Sequence, residues 1–243
     1  MVRKYTILHG IFEEKYIIDI LKKEIVKTRD GSNTIFVPEF DETYHSTHGA
    51  IQESLHVFIR SGLKFKTELN DISVLEVGFG TGLNALLSFV DSEDTNRNIK
   101  YTSLEAYPLQ WDLVSKLNYI DIIFNGKYSE IYKKIHTCDW ESFHELSPYF
   151  TLRKQNVKLQ NILFDNEFDI IYFDAFAPRV QPELWTEQIF TSMYKALKPG
   201  GILVTYCAKG SVKRALRYVG FELQSIPGPP GKREMSRAVK PRS

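Results

Sequence analysis

Cysteine is nearly absent. Cys138 and Cys207 are the only two in 243 residues, and they stand far apart without metal-ligand spacing. That excludes a disulfide framework and a thiolate zinc site, and it fits a reducing cytoplasm. No apolar run approaches the roughly 20 residues that a membrane span needs. The N-terminal MVRKYTILHG has no sustained apolar segment and no small-residue cleavage site, so no secretory signal is read there. A dominant charge is missing too. The 31 Lys and Arg against 30 Asp and Glu leave a net +1, so the whole molecule is not built as an electrostatic sponge for nucleic acid. There is no internal repeat and no interdomain linker.

What remains, at 43% hydrophobic and 25% charged residues, is the balance of a folded globular protein. The length suits one large α/β domain with a small appendage. Positive charge gathers late. From Lys209 onward nine Lys and Arg stand against Glu222 and Glu234, which fits either phosphate binding or a solvated tail.

Residues 22–48 alternate and contain Asp30-Gly31, a hairpin signal. Residues 49–63 carry Ile51, Leu55, Phe58 and Ile59 at helical spacing, with Gly62 as a stop. Residues 1–65 are therefore read as a hairpin-and-helix extension packed on a domain of residues 66–243. In that domain strands are expected at 72–78, 100–106, 131–137, 168–176 and 202–207. Helices are expected after the glycines at 83–90, from Pro108 to about Leu117, from Pro182 to a closure at Lys198-Pro199-Gly200-Gly201, and over SVKRALRYVGF. Residues 150–164 read as an inserted hairpin, and the C-terminal segment as a hairpin turning at Gly228-Pro229-Pro230-Gly231. Strand and helix in alternation imply a Rossmann-like, doubly wound, mostly parallel sheet.

The stretch VLEVGFGTGLNALL passes from an apolar strand through three glycines into a helix. Such a turn lets backbone approach a nucleotide-like ligand beyond the carboxyl ends of the strands. The dinucleotide pattern G-x-G-x-x-G is not met: Leu83 stands where its third glycine belongs. Glu76, two residues before Gly78, would repel a pyrophosphate and suits a cationic ligand such as the amino and sulfonium end of S-adenosylmethionine. Glu105, closing the next strand, can accept from two ribose hydroxyls. Asp139, after the expected third strand, stands where an adenine amino group could be read, and Trp140 beside it could stack. A nicotinamide ligand and a purely structural turn are the alternatives.

YFDAFAPRVQPELW sets Asp174 at the carboxyl end of an apolar strand, before a wall that includes Phe176 and Pro178. A carboxylate there is costly unless paired or ligand-bound. It reads as a hydrogen-bond acceptor that orients an incoming amine. The alternative is a cap for the helix opening near Pro182. His45, His48 and His56 lack the further ligands zinc would want, so no metal site is expected.

GFGTGLN (78–84), YFDAFAPRVQPELWT (172–186), LKPGGILVTY (197–206), GPPGKREMSRA (228–238) and HSTHGAIQESLHVFI (45–59) together resemble the MnmC-type methyltransferase family. The likeness covers about residues 25–240. It implies a class I S-adenosylmethionine-dependent N-methyltransferase acting on the 5-aminomethyl group of a tRNA wobble uridine. Carried over by motif, Glu76, Gly78, Phe79, Gly80, Gly82, Asn84 and Glu105 would line the cofactor, with Asp139 and Trp140 at adenine. Tyr44, His48 and Glu53 would roof the pocket, Asp174 would be catalytic, and Phe176, Pro178, Lys232 and Arg233 would meet the substrate. No flavin is expected, since the oxidoreductase half of the bifunctional enzymes is not in this sequence. The free amine would then come from other enzymes. A cytoplasmic monomer is the plain expectation, with a small-molecule or protein amine as the rival substrate.

Overall fold

The computed structural model describes residues 21–242. The MVRKYTILHG segment and the first twenty residues of the expected extension lie outside the described residues. The described chain begins with an antiparallel three-stranded sheet, β1 (Glu24–Lys27), β2 (Asn33–Val37) and β3 (Glu42–Thr43). Asp30 closes the β1–β2 turn. Its Oδ1 accepts from the Thr28 hydroxyl (2.7 Å) and the Ser32 N–H (3.0 Å), and its Oδ2 from the Gln52 N–H (3.1 Å). That last bond ties the turn to α1 (Ala50–Ser54). The helix continues into a π-helical turn, Leu55–Arg60, closed by the Ser61 N–H on the His56 carbonyl (3.2 Å). Gly62 comes next with φ −102°, so it does not end the helix through a left-handed turn. It is small because a Cβ there would strike the Phe58 carbonyl.

The main sheet has eight strands. Its central members are β4 (Asp71–Val77), β5 (Asn98–Leu104), β7 (Phe150–Gln155), β8 (Phe168–Phe173) and β9 (Leu197–Thr205), all parallel. Antiparallel β6 (Phe143–Ser147) covers one edge. The hairpin β10 (Glu222–Pro227) and β11 (Glu234–Val239) covers the other. The order is β10-β11-β9-β8-β4-β5-β7-β6.

Both faces of this sheet are buried, which explains the near-continuous apolar strands. In β8, Ile170 and Tyr172 enter one core with Val74, Tyr101, Leu86 and Phe89; Ile171 and Phe173 enter the other with Leu75, Leu203, Phe190 and Leu216. The first core lies under α2 (Leu83–Thr95), the second under α6 (Glu187–Ala196) and α7 (Gly210–Val219). By the same alternation Glu76 and Asp174 share the α2 face.

Five further expectations are corrected. Residues 131–137 are not a strand but part of helix α5 (Ser129–Thr137). Tyr132 and Ile135 are buried while Lys133 and Lys134 are exposed, a helical rather than a two-residue period. The third parallel strand is β7, and the inserted hairpin is β6–β7, upstream of the expected 150–164. The helix from Pro108 shrinks to α3 (Trp111–Val114), followed by α4 (Tyr119–Phe124). Around Pro182 there is one 3-10 turn, Pro182–Leu184, and α6 starts only at Glu187. Lys198 to Gly201 lie inside β9 as a bulge: Phe168 pairs with Leu197, but Ile170 pairs with Ile202.

A buried ion pair pins the start of the sheet. Arg97 Nη2 lies 2.8 Å from Asp91 Oδ2, with side chains 10% and 5% exposed, and Arg97 Nη1 donates to the Lys66 carbonyl (3.2 Å). Among the described residues, Arg97→Met would leave buried Asp91 with only Lys64, 3.7 Å away, in ion-pair reach. Breaking one side of such a pair costs about 3 kcal/mol. Urea unfolding should show that loss without a change in slope.

Candidate active site

The chain runs from β4 through β5 to β7 on one side, then returns to β8 and β9 on the other. A crevice therefore opens beyond the carboxyl ends of β4 and β8, where open α/β sheets hold ligands. Gly78, Glu105 and Asp174 each come directly after one of these strands. The Gly78 N–H donates to the Leu104 carbonyl (2.9 Å) and the Asp174 N–H to the Val77 carbonyl (3.0 Å), so the three strand ends are drawn together.

A cavity of about 1010 Å³ opens over this junction. Gly78, Phe79, Gly80 and Asn84 form its floor, Asp174 to Ala177 one wall, and the β2–β3 region with Phe40 and Tyr44 its roof. The Phe176 ring packs edge-on against Tyr44 (centroids 4.9 Å) and Phe40 (6.1 Å). Arg179 clasps roof to wall: Nη2 lies 3.0 Å from Glu42, and the guanidinium donates to the Phe40 and Asp41 carbonyls.

Carboxylates dominate the chemistry. Glu105 is fixed at the edge of the cavity by the Gly80 N–H (3.1 Å) and the Tyr107 N–H (2.9 Å). Burial pushes its proton affinity up, and it keeps lone pairs for hydroxyl donors. Asp174 Oδ2 accepts from the Asn84 amide (2.9 Å). Burial, and then the negative charge of Glu53, push Asp174 up to about 7, against the pull of Asn84 and Lys232. Glu76 lies beneath the floor, 0% exposed. The Ser103 hydroxyl donates to its Oε2 (2.5 Å) while Oε1 has no partner. Burial lifts Glu76 to about 8, the Ser103 bond opposes this, and the charge of Asp174 adds to it. A buried acid with an orphaned oxygen under a glycine turn suits a cationic ligand. The nicotinamide alternative is disfavoured by Leu83, which stands where the third glycine of the dinucleotide pattern belongs. The cavity thus fits the sulfonium and amino end of S-adenosylmethionine, with Glu105 available to ribose hydroxyls.

Lys232 enters the same cavity from the β10–β11 turn. Its Nζ lies 2.6 Å from Glu53 Oε1 and 3.9 Å from the centre of the Tyr206 ring. Glu53 Oε2 accepts from the Ser46 N–H (2.7 Å), so the pair is anchored at both ends.

Of the residues expected to hold cofactor, Gly78, Phe79, Gly80, Asn84, Glu105, Tyr44 and Glu53 line the cavity. Glu76 and Gly82 do not; a side chain at Gly82 would meet His136 behind the turn. Asp139 and Trp140 are misplaced, because the strand expected before them is helix α5. Asp139 is exposed, and Trp140 packs on Phe79 (6.0 Å) with the Lys154 ammonium over its ring (4.8 Å). The residues after the true third strand, Val157 to Gln160, line the cavity instead. His48 lies against Gly231, and His45 takes the lining position. His45 is buried against Thr34 (3.3 Å), and burial pulls it down to about 4, so it is neutral. His56 bonds the Pro227 carbonyl, so the three histidines do not converge. Asp174, Phe176 and Lys232 line the cavity; Pro178 does not, and Arg233 is exposed outside it. Asp174 caps no helix, since α6 is capped by the Thr186 hydroxyl on the Ile189 N–H (3.3 Å).

The profile of a family described as S-adenosyl-L-methionine-dependent methyltransferase matches residues 122–241. The chain is 30% identical over 231 residues to the tRNA 5-methylaminomethyl-2-thiouridine biosynthesis bifunctional protein MnmC of Actinobacillus pleuropneumoniae, covering 87% of this chain and 34% of that protein. With the protein of the same name from Marinomonas it shares 27% over 216 residues, 82% of this chain and 31% of that one. The chain thus spans about a third of the length of these relatives. In structure it superposes on MnmC2 from Aquifex aeolicus with a TM-score of 0.71 at 23% identity, covering 96% of this chain and 78% of that one. Spermidine synthase from Thermotoga maritima superposes at 0.51 and 18%, covering 93% and 70%. Both likenesses establish the class I methyltransferase fold. With the glycine turn, the acid-lined cavity and the sequence matches together, the chain belongs to the S-adenosyl-L-methionine-dependent methyltransferases of the MnmC type.

Proposed function

We propose that this methyltransferase methylates the primary amine of a 5-aminomethyl group on the wobble uridine of tRNA, giving 5-methylaminomethyl-uridine, with or without 2-thio. The observation that carries the reading is Asp174, a carboxylate set in the cavity wall next to the glycine turn and fixed by Asn84. The names of the relatives, which point to 5-methylaminomethyl-2-thiouridine, supply the substrate class.

When bound, S-adenosylmethionine supplies an electrophilic methyl group on a sulfonium, whose transfer breaks a C–S bond and forms an N–C bond. The protein has two tasks, to hold the nucleophile in line and to keep water out. The backbone of Gly78 to Gly80 and the Glu105 carboxylate would hold the nucleoside end. Phe176, Tyr44 and Phe40 make the wall beside Asp174 apolar. Asp174 accepts an N–H of the amine and orients its lone pair. With a proton affinity near neutrality, it can also take the proton that the ammonium must lose before it attacks.

The test is methyl transfer from labelled S-adenosylmethionine into bulk tRNA bearing unmethylated 5-aminomethyl-uridine, followed by nucleoside analysis. Label is expected in 5-methylaminomethyl-uridine. Cofactor binding with no label in that nucleoside would overturn the tRNA reading and turn the search to small amines.

A further inference from the structure

An amine bound at Asp174 meets a difficulty that the carboxylate alone makes worse. A carboxylate beside an amine favours the protonated form, which has no lone pair to offer. Two carboxylates, Asp174 and Glu53, are near enough to act on each other. The cavity must therefore contain something that works the other way.

Lys232 is placed to do so. It is a cation brought into the cavity by the stiff Pro229-Pro230-Gly231 turn, held at 2.6 Å by Glu53 and laid over the Tyr206 ring at 3.9 Å. The Tyr206 hydroxyl donates in turn to the Ala175 carbonyl (2.8 Å), one residue from Asp174. Resting on the function proposed above, we propose that Lys232, positioned by Glu53 and Tyr206, is the fixed cation that makes the substrate amine give up its proton at neutral pH. It is a positioning residue that works through charge. A neighbouring ammonium lowers the proton affinity of an amine, and pairing with Glu53 cancels the second carboxylate, leaving Asp174 as the one acceptor. The proton passes from the ammonium nitrogen to an Asp174 oxygen and on to solvent, and the freed lone pair then forms the N–C bond as the C–S bond of the methyl donor breaks.

Other charges around the pair do not undo this. Asp174 faces Glu53 and Lys232, with Asn84 as its hydrogen-bond donor, and its charge reaches Glu76 beneath. Tyr206 faces Asp174, Glu53, Glu42 and Cys207. Glu42 is paired with Arg179. The charges of Lys209, Lys213 and Lys232 reach Cys207, and Lys213 is paired with Glu234 at 2.8 Å.

The probe is an anticodon stem-loop RNA carrying 5-aminomethyl-uridine. The pH profile of kcat, which reports groups in the enzyme–RNA complex, should rise along one alkaline-going limb. Lys232→Met should move that limb to higher pH by about one unit or more, and Glu53→Gln should move it to lower pH, because each removes one sign of charge. Lys232→Arg should keep the wild-type limb. A turnover-free readout is proton release on binding the RNA, by calorimetry in buffers of different ionisation enthalpy. About one proton should be released with wild type, and none with Lys232→Met. A loss of affinity alone, with limb and proton release unmoved, would make Lys232 a plain structural or RNA contact and overturn the inference while the proposed function stands. No wild-type transfer to the amine would overturn both.

Discussion

Asp174→Asn is expected to cut methyl transfer by about a thousandfold, the scale of losing both orientation and proton acceptance, while the apo-protein becomes more stable above pH 7. The two effects share one cause. In the folded protein Asp174 is lifted from 3.8 to about 7, mainly by burial. Between those values the folded state holds a proton that the unfolded chain has released, so stability is fullest below about pH 4 and declines as pH rises through 7. Asparagine keeps the shape and the contact with Asn84 while removing the charge. Its advantage should grow from pH 4 to pH 7 and then level, at about 1 to 2 kcal/mol once partial exposure to the cavity is allowed for. Thermal unfolding at pH 5 and pH 8 measures this. Glu76, lifted to about 8, adds to the same downward slope, and a cationic ligand should offset it. S-adenosylmethionine affinity should survive the substitution. Wild-type turnover in Asp174→Asn would remove this residue from the chemistry, whatever the stability data show.

The central strands are legible in the sequence because they obey simple rules. β4 and β8 are largely apolar runs, and each ends in a chemically unusual segment: a triple-glycine turn after an acid in one, an acid before an apolar wall in the other. The helix at 131–137 is hidden because IYKKIHT is short, and a seven-residue window with three apolar side chains fits either period. That one misreading carries Asp139 and Trp140 into the site and leaves out Val157 to Gln160, which come after the real third strand. Reading FTLRKQ as a parallel strand locates them. His48 and His45 are separated only by how the β2–β3 sheet turns, which residue types do not encode. Lys232 is legible as a site residue, but as a contact for RNA. Its partner Glu53 lies 179 residues away in sequence and belongs to a helix of the extension. No local pattern could announce that pairing.

Gly78→Ala should be among the most damaging single methyl additions in the described residues. Gly78 has φ +90°, and a Cβ there would stand 2.5 Å from the Asp174 carbonyl oxygen and 3.2 Å from its carbon. Those atoms are backbone, so no side-chain rotation relieves the contact. Either β4 and β8 separate at their carboxyl ends, breaking the Asp174 N–H bond to Val77, or the glycine turn swings away from the cavity floor. Both routes damage the ligand site, and the first also displaces the carboxylate that orients the amine. The φ effect and the contact effect can be separated. Gly126 has φ +85° with nothing within 4 Å of its would-be Cβ, so Gly126→Ala carries the backbone strain alone. That variant should lose about 1 kcal/mol and bind ligand normally. Gly78→Ala should lose about 3 kcal/mol or more, and its affinity for S-adenosylhomocysteine should fall by about a hundredfold, the scale of a rearranged site. Calorimetric titration of the two variants side by side decides it. If they bind alike, close strand approach is not what makes glycine necessary at 78, and the cavity floor tolerates a wider junction than its hydrogen bonds imply.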